Sequence, residues 1–241
     1  MSEPMSVYVY GITKDSHPLD LNSLKGVGES PTELHVVRGD SLCAVVSEAP
    51  KDLSVARRDL AAHYEVLDRL WEDGTVLPLS FGFVAEDEDA VRAVLAEGAE
   101  QYAQRLDEFA GRAEFNVKGV QDEDSLLRDI LATSEQARAL NEATREGRGT
   151  YEDRVALGEL VAQEVQRRQD ALAAEILQAL RPLASLERLA EPSQQYFVSA
   201  SYLVDRERSE EFTRTARELA ERYGEGVELR VRGPLPPYSF A

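Results

Sequence analysis

The sequence predicts an α+β chain of two domains. Three observations carry this. Short β-branched and aromatic runs alternate with long amphipathic helical patterns along its whole length. From Phe115 onward the order is strand, helix pair, strand, strand, helix, strand; that is the ferredoxin-like βαββαβ order with a helical insertion. The formal charge also splits unevenly, net −12 over residues 1–111 and −6 over residues 112–241, with Gly111 at the join. The expected domains are 1–111, an N-terminal α+β domain, and 112–241, a C-terminal ferredoxin-like domain with a long helix over 151–181 and a proline-rich tail.

The elements follow in order. Ser6 to Ile12 (SVYVYGI) is aromatic and β-branched, so a strand. Residues 13–33 hold Asp15, Pro18, Asn22, Gly26, Gly28 and Pro31 and read as a loop. Leu34 to Arg38, Gly39-Asp40 and Ser41 to Ser47 read as a hairpin closed by Pro50. Ser54 is a candidate cap for a helix whose apolar positions Leu60, His63, Leu67, Leu70 and Trp71 recur at three and four, up to Asp73-Gly74. Val76 to Val84 (VLPLSFGFV) is a mostly apolar run, too short for a membrane span and so a buried strand. Pro78 and Gly82 interrupt it, and proline belongs at an edge, a strand start or a bulge. The acidic run Glu86 to Asp89 suits a helix N-terminus, where the macrodipole favours anions. One helix is expected from there to Phe109, with Val91, Leu95, Gly98, Tyr102 and Leu106 on one face.

In the second half, Glu114 to Val120 is a strand. Asp124 or Ser125 caps a helix to about Ala143, and REGRGT (145–150) breaks the chain before the long helix, which Pro182 ends. Residues 184–190 and 195–204 form a strand pair around Glu191-Pro192-Ser193. Asp205 caps a helix carrying Phe212, Ala216, Leu219 and Tyr223, and Val227 to Val231 is the last strand. In the tail GPLPPYSFA, three prolines favour an extended, polyproline-like path.

Composition excludes several classes. The net charge of −18 opposes nucleic acid and anionic membrane surfaces, which need lysine and arginine clusters. It suits a partner with basic or apolar surface. One cysteine, Cys43, allows no intrachain disulfide, compatible with a reducing cytoplasm. The opening MSEPMSVYVYG has neither a basic region nor a long apolar core, so neither a signal peptide nor a transmembrane helix is expected.

No catalytic, cofactor or metal constellation is expected. The three histidines and one cysteine lack metal-ligand spacing. His63, on an apolar helix face, reads as a packed core or interface histidine before it reads as a catalytic one. Lys25-Gly26-Val27-Gly28 lacks the spacing and following helix of a phosphate loop. Arg167-Arg168 reads as a solvated face, and nucleophile elbows are absent. The tail has two readings, a segment packed back on the protein or a docking segment. Packing within the chain, tying the domains together, is the expectation.

Taken together, YVYGI near the start, AVVSEAP at 44–50, His63 with Val66-Leu67, VLPLSFG at 76–82, EFNVKG at 114–119, LGELVA at 157–162 and the final GPLPPYSF resemble the gas vesicle GvpF/GvpL family. The resemblance spans nearly the whole chain in the family's order. It implies a cytoplasmic, non-enzymatic accessory or minor component of the gas vesicle. Such a protein would bind the hydrophobic shell protein GvpA, work with other gas vesicle accessory proteins, assist nucleation and assembly, and prevent GvpA aggregation. Leu79, Phe81, Phe83, Tyr238 and Phe240 are the candidate interaction residues. The alternative is a small-molecule-binding or enzymatic α+β domain, since the ferredoxin-like fold hosts both. A deep pocket with convergent polar groups would favour that alternative; exposed apolar patches would favour the binding role.

Overall fold

A computed structural model describes residues 5–30, 32–51, 53–145, 148–191, 193 and 195–241. Pro31, Gly147 and Pro192, which the sequence places in loops, lie outside the described residues. The protein mixes helix and sheet. It divides into two compact units: Met1–Glu114 with Gly233–Ala241, and Phe115–Arg232. This differs from the expected division at residue 111, because the tail belongs with the first unit. Among the described residues, no helix is long and apolar enough to cross a membrane.

Among its described residues, the first unit is a sheet with three helices packed against it. β1 (Val7–Lys14) is its axis and is buried on both faces. β2 (His35–Arg38) and β3 (Leu42–Glu48) form the expected hairpin, and β3 lies antiparallel to β1. α1 (Arg57–Asp73) follows. Its first residue is preceded by Ala56, so Ser54 is not its cap. α1 buries His63, Val66, Leu67 and Leu70 on the face that the apolar spacing marks.

The run 76–84 is not one strand. It forms β4 (Leu77–Pro78) and β5 (Val84–Ala85), both paired to β1, with a loop between them. The sheet order is β2-β3-β1-β4, with β5 also on β1. The helix expected up to Phe109 is two, α2 (Glu88–Glu97) and α3 (Ala99–Phe109), divided at Gly98. Asp87 caps α2 by accepting from the Ala90 amide at 2.8 Å.

In the second unit β6 (Arg112–Gln121) enters from the first. α4 (Glu123–Thr133) is capped by Asp122 and α5 (Glu135–Thr144) by Ser134, so the single expected helix is again two. Ser134 sits at φ −97°, ψ 110°, outside helical values, and its side chain accepts from Ala137. α6 (Tyr151–Leu180) starts with a capping box in which Thr150 and Asp153 each hold the other's backbone amide. Arg168, which interrupts the apolar seam of α6, donates to Thr133 Oγ1 of α4 at 2.6 Å. β7 (Leu186–Leu189) and β8 (Val198–Asp205) pair antiparallel. A 3₁₀ turn, Arg206–Arg208, separates Asp205 from α7 (Ser209–Tyr223), so Asp205 does not cap it. β9 (Val227–Leu235) runs past Gly233-Pro234, and the expected polyproline path begins as strand. The sheet order is β7-β8-β6-β9. Phe115, Tyr202 and Phe212 form its aromatic core, with ring centroids 5.0 and 5.3 Å apart.

Candidate functional site

The loop between β4 and β5 is held by β1 and α1 of the first unit. Tyr8 and Tyr10 stand two residues apart on β1 and belong to the core cluster with Val66, Leu67 and Leu70 of α1. The β1–β3 register shifts between Val9 and Gly11. At Gly11 a Cβ would meet Val76 Cγ2 at 2.8 Å and the Leu77 carbonyl at 2.9 Å, so glycine lets the start of the 76–84 run approach the strand. Pro78 lies opposite Gly11 at the end of β4, where its missing donor interrupts no further ladder.

The loop then leaves the sheet but stays tied to it. The Leu79 amide donates to the Tyr10 carbonyl at 2.9 Å, and the Val9 amide donates to the Phe83 carbonyl at 3.0 Å. At its tip Gly82 has φ +94°, a left-handed value that favours glycine. The Gly82 amide donates to Tyr8 Oη at 3.0 Å, and Tyr8 Oη lies 2.9 Å from His63 Nδ1. With the Tyr8 oxygen accepting from Gly82, its proton points to His63, which accepts through Nδ1. A backbone hydrogen bond to Leu79 engages the ring as a donor. Two ends of the loop are thus fixed through one tyrosine and one histidine.

Burial sets the chemistry of this cluster. His63 is 1 % exposed, and desolvation pushes its pKa down to about 4, opposed by the Leu79 hydrogen bond. It is therefore neutral at pH 7, with Nδ1 held by the Tyr8 hydroxyl. Burial raises Tyr8 to about 12 and Tyr10 in the same direction. Tyr10 Oη accepts from the Val27 amide at 2.8 Å and lies 3.0 Å from Ser47 Oγ. The His63 ring stacks on Tyr10, and Phe81 meets both His63 and Tyr8 edge-on at 5.6 and 6.0 Å.

The C-terminal segment reaches the same cluster within the first unit. Tyr238 meets Tyr64 edge-on at 5.5 Å, and Tyr64 meets His63 at 5.4 Å. Glu114 is 1 % exposed, and its carboxylate accepts from the Ser239 amide at 2.7 Å and from Ser239 Oγ at 2.5 Å. Phe240 is buried, as are Pro236 and Pro237.

The candidate interaction residues thus fall into three groups. Phe81 and Tyr238 are half-buried in one aromatic cluster, with Leu79 half-buried beside them. Phe240 is packed away. Phe83 is 48 % exposed, and the adjacent Val84, which sequence reasoning did not single out, is 43 % exposed. Tyr8, Tyr10, Glu114 and Ser239 were also not singled out; the usable signal was the spacing of two strand tyrosines on one face. Replacing Phe81 with Ala is expected to cost about 2 kcal/mol in chemical denaturation, less than a fully buried ring because Phe81 is half-buried. A loss near zero would place its ring outside the cluster.

A cleft of about 860 Å³ on the same unit is lined by Val27, Glu29, Glu48, Pro50, Lys51 and Arg58 and is open to solvent. Among the described residues, no group of three or more His, Cys, Asp or Glu side chains is placed to hold a metal ion.

A family model described as gas vesicle synthesis protein GvpL/GvpF matches residues 6–241. Gas vesicle protein F of Streptomyces sp. (strain CB03234) is 42% identical over 237 residues, covering 98% of this chain and 99% of that protein. Gas vesicle protein L of the same strain is 27% identical over 263 residues, covering 100% and 94%. The crystal structure of the gas vesicle protein GvpF from Anabaena sp. PCC7120 shares the fold, with a TM-score of 0.84 over 98% of each chain at 22% identity.

Proposed function

Because the chain belongs to the gas vesicle synthesis protein GvpL/GvpF family, we propose that it is an assembly factor that binds the hydrophobic shell protein GvpA. It shields the shell subunit from aggregation, works alongside other gas vesicle accessory proteins, and assists vesicle nucleation in the cytoplasm and at the vesicle. The higher identity to the F protein than to the L protein of one Streptomyces strain supports the F branch. The strand order β7-β8-β6-β9 supports reading the second unit as a ferredoxin-like domain with α4 and α5 inserted.

The observation that carries the binding role is the pair Phe83 and Val84. They are exposed and apolar, at the end of a loop whose backbone is anchored at Leu79, Gly82 and Phe83 and at the first residue of β5. A preorganised apolar contact loses little conformational entropy on binding. Residues 1–111, which contain the loop, carry net −12, and charge of that size keeps a complex with a hydrophobic client dispersed.

The test is capture of purified GvpA by the immobilised protein and by a Phe83→Asp/Val84→Asp variant. The variant should melt like the parent, since exposed substitutions cost about 0.5 kcal/mol or less, and should lose most of its capture. Equal capture by both proteins would remove this loop from the binding surface.

A further inference from the structure

One face of the second unit's sheet carries four basic side chains in a chain of net −18: Arg188, Arg230 and Arg232, which are exposed, and Lys118, which is half-buried; the same face is buried at its Glu114 and Leu203 end. Phe115 and Val117 of β6 and Ala200 and Tyr202 of β8 are buried, and Phe115 and Tyr202 meet Phe212 of α7. Strand alternation therefore turns Asn116 and Lys118 of β6 and Ser199 and Ser201 of β8 to the opposite face. Contacts agree. Ser201 Oγ donates to Asn116 Oδ1 at 2.7 Å, and Arg188 of β7 lies directly across from Ser201 in the ladder. Lys118 Nζ sits 4.7 Å from the centre of the Tyr196 ring, and Arg230 of β9 hydrogen-bonds Tyr196. Arg232 shares the face of Arg230 by alternation, and both are exposed, as is Arg188.

This face has a particular shape and chemistry. Its middle, on β6 and β8, is floored by the short side chains Asn116, Ser199 and Ser201. Lys118, Arg230 and Arg232 line one side and Arg188 the other. The carboxylate of Glu228 on β9 is held by Arg230 through two bonds of 2.9 and 2.8 Å. Because Asn116 Oδ1 is taken by Ser201, its amide nitrogen offers donors. The Asn116 amide nitrogen and the Ser199 hydroxyl, lying between cations, select an acceptor-rich anion.

We propose that this sheet face docks an acidic peptide segment of a partner protein. Charge complementarity chooses the occupant: at physiological ionic strength the Debye length is about 8 Å, so a carboxylate-rich chain on the face feels chiefly the charges within about that distance. Nucleic acid is the poorer fit, because single strands stack successive bases on several aromatic rings, and the one aromatic ring placed on this face among the described residues, Tyr196, already lies under Lys118. The inference is independent of GvpA binding and concerns the other unit.

The experiment titrates the full-length protein into a fluorescein-labelled octaglutamate peptide and, separately, a labelled octauridylate, following anisotropy at low and high salt. The peptide should bind, weaken with salt, and lose about tenfold in affinity in the Lys118→Glu/Arg230→Glu variant. The Lys118→Gln variant, which removes one charge with less perturbation, should fall between. Arg167→Glu, an exposed arginine of α6, should bind like the parent. Three results would overturn the proposal: no peptide binding by the parent, equal binding by a charge-reversed variant that melts normally, or tighter binding of octauridylate than of octaglutamate.

Discussion

Removing residues 234–241 should destabilise the protein by about 5 kcal/mol, lowering its melting temperature by on the order of 10 °C or more. Burial of the Phe240 ring contributes about 2–3 kcal/mol of this. The rest comes from Glu114. Its buried carboxylate accepts both the amide and the hydroxyl of Ser239, and losing both donors leaves a buried anionic acceptor unsatisfied. Tyr64 also loses its edge-on partner Tyr238. Ser239→Ala separates the contributions: it removes only the hydroxyl donor and should cost about 1–2 kcal/mol. Differential scanning calorimetry of the three proteins measures both effects. An unchanged melt in the truncated protein would mean that these residues contribute nothing to the first unit's stability.

Acid should weaken the fold through His63. Its pKa is about 4 in the folded protein against an ordinary 6.5, so the unfolded chain takes up a proton that the native state refuses. Stability is complete above about pH 6.5 and declines as the pH falls toward 4. The total is on the order of 3 kcal/mol. The neighbouring Tyr8 and Tyr10 are shifted upward and stay protonated throughout this window. Glutamine at position 63 can accept from Tyr8 and donate to the Leu79 backbone without titrating. Urea unfolding at pH 7, 5.5 and 4.5 should therefore show a flatter profile for His63→Gln than for the parent, with GvpA capture retained. Parallel profiles would mean that His63 is not the group responsible.

Most strands and helices were legible because their apolar periodicity survives in the folded protein. The breaks were harder to read. Val91, Leu95, Gly98 and Tyr102 keep helical spacing across the point where α2 ends and α3 begins, so periodicity runs through a division that only backbone geometry makes. Ser134 likewise looks like an ordinary helix residue until its side chain is seen to cap the next helix. The 76–84 run misled in a different way. A strand leaving the sheet at Leu79 and rejoining it at Val84 loses alternation, and that is why Phe81 and Phe83 differ in exposure although they are two residues apart. The placement of the tail was beyond charge arguments, since PPYSF is uncharged and its polar anchor, Glu114, looks like any strand carboxylate. His63 was legible as a packed histidine, but its link to Gly82 through Tyr8 joins positions 55 and 74 residues apart in sequence.

The return of Gly233–Ala241 to the first unit has a consequence for biosynthesis. Translation delivers residues 115–232, most of a four-stranded sheet with its helices, before the residues that finish the first unit. The first unit is therefore finished only when Ser239 and Phe240, which follow the whole second unit in sequence, are in place. A chain truncated before Ser239 would leave the buried Glu114 carboxylate without both of its donors, a form that cellular proteases can distinguish from the finished protein.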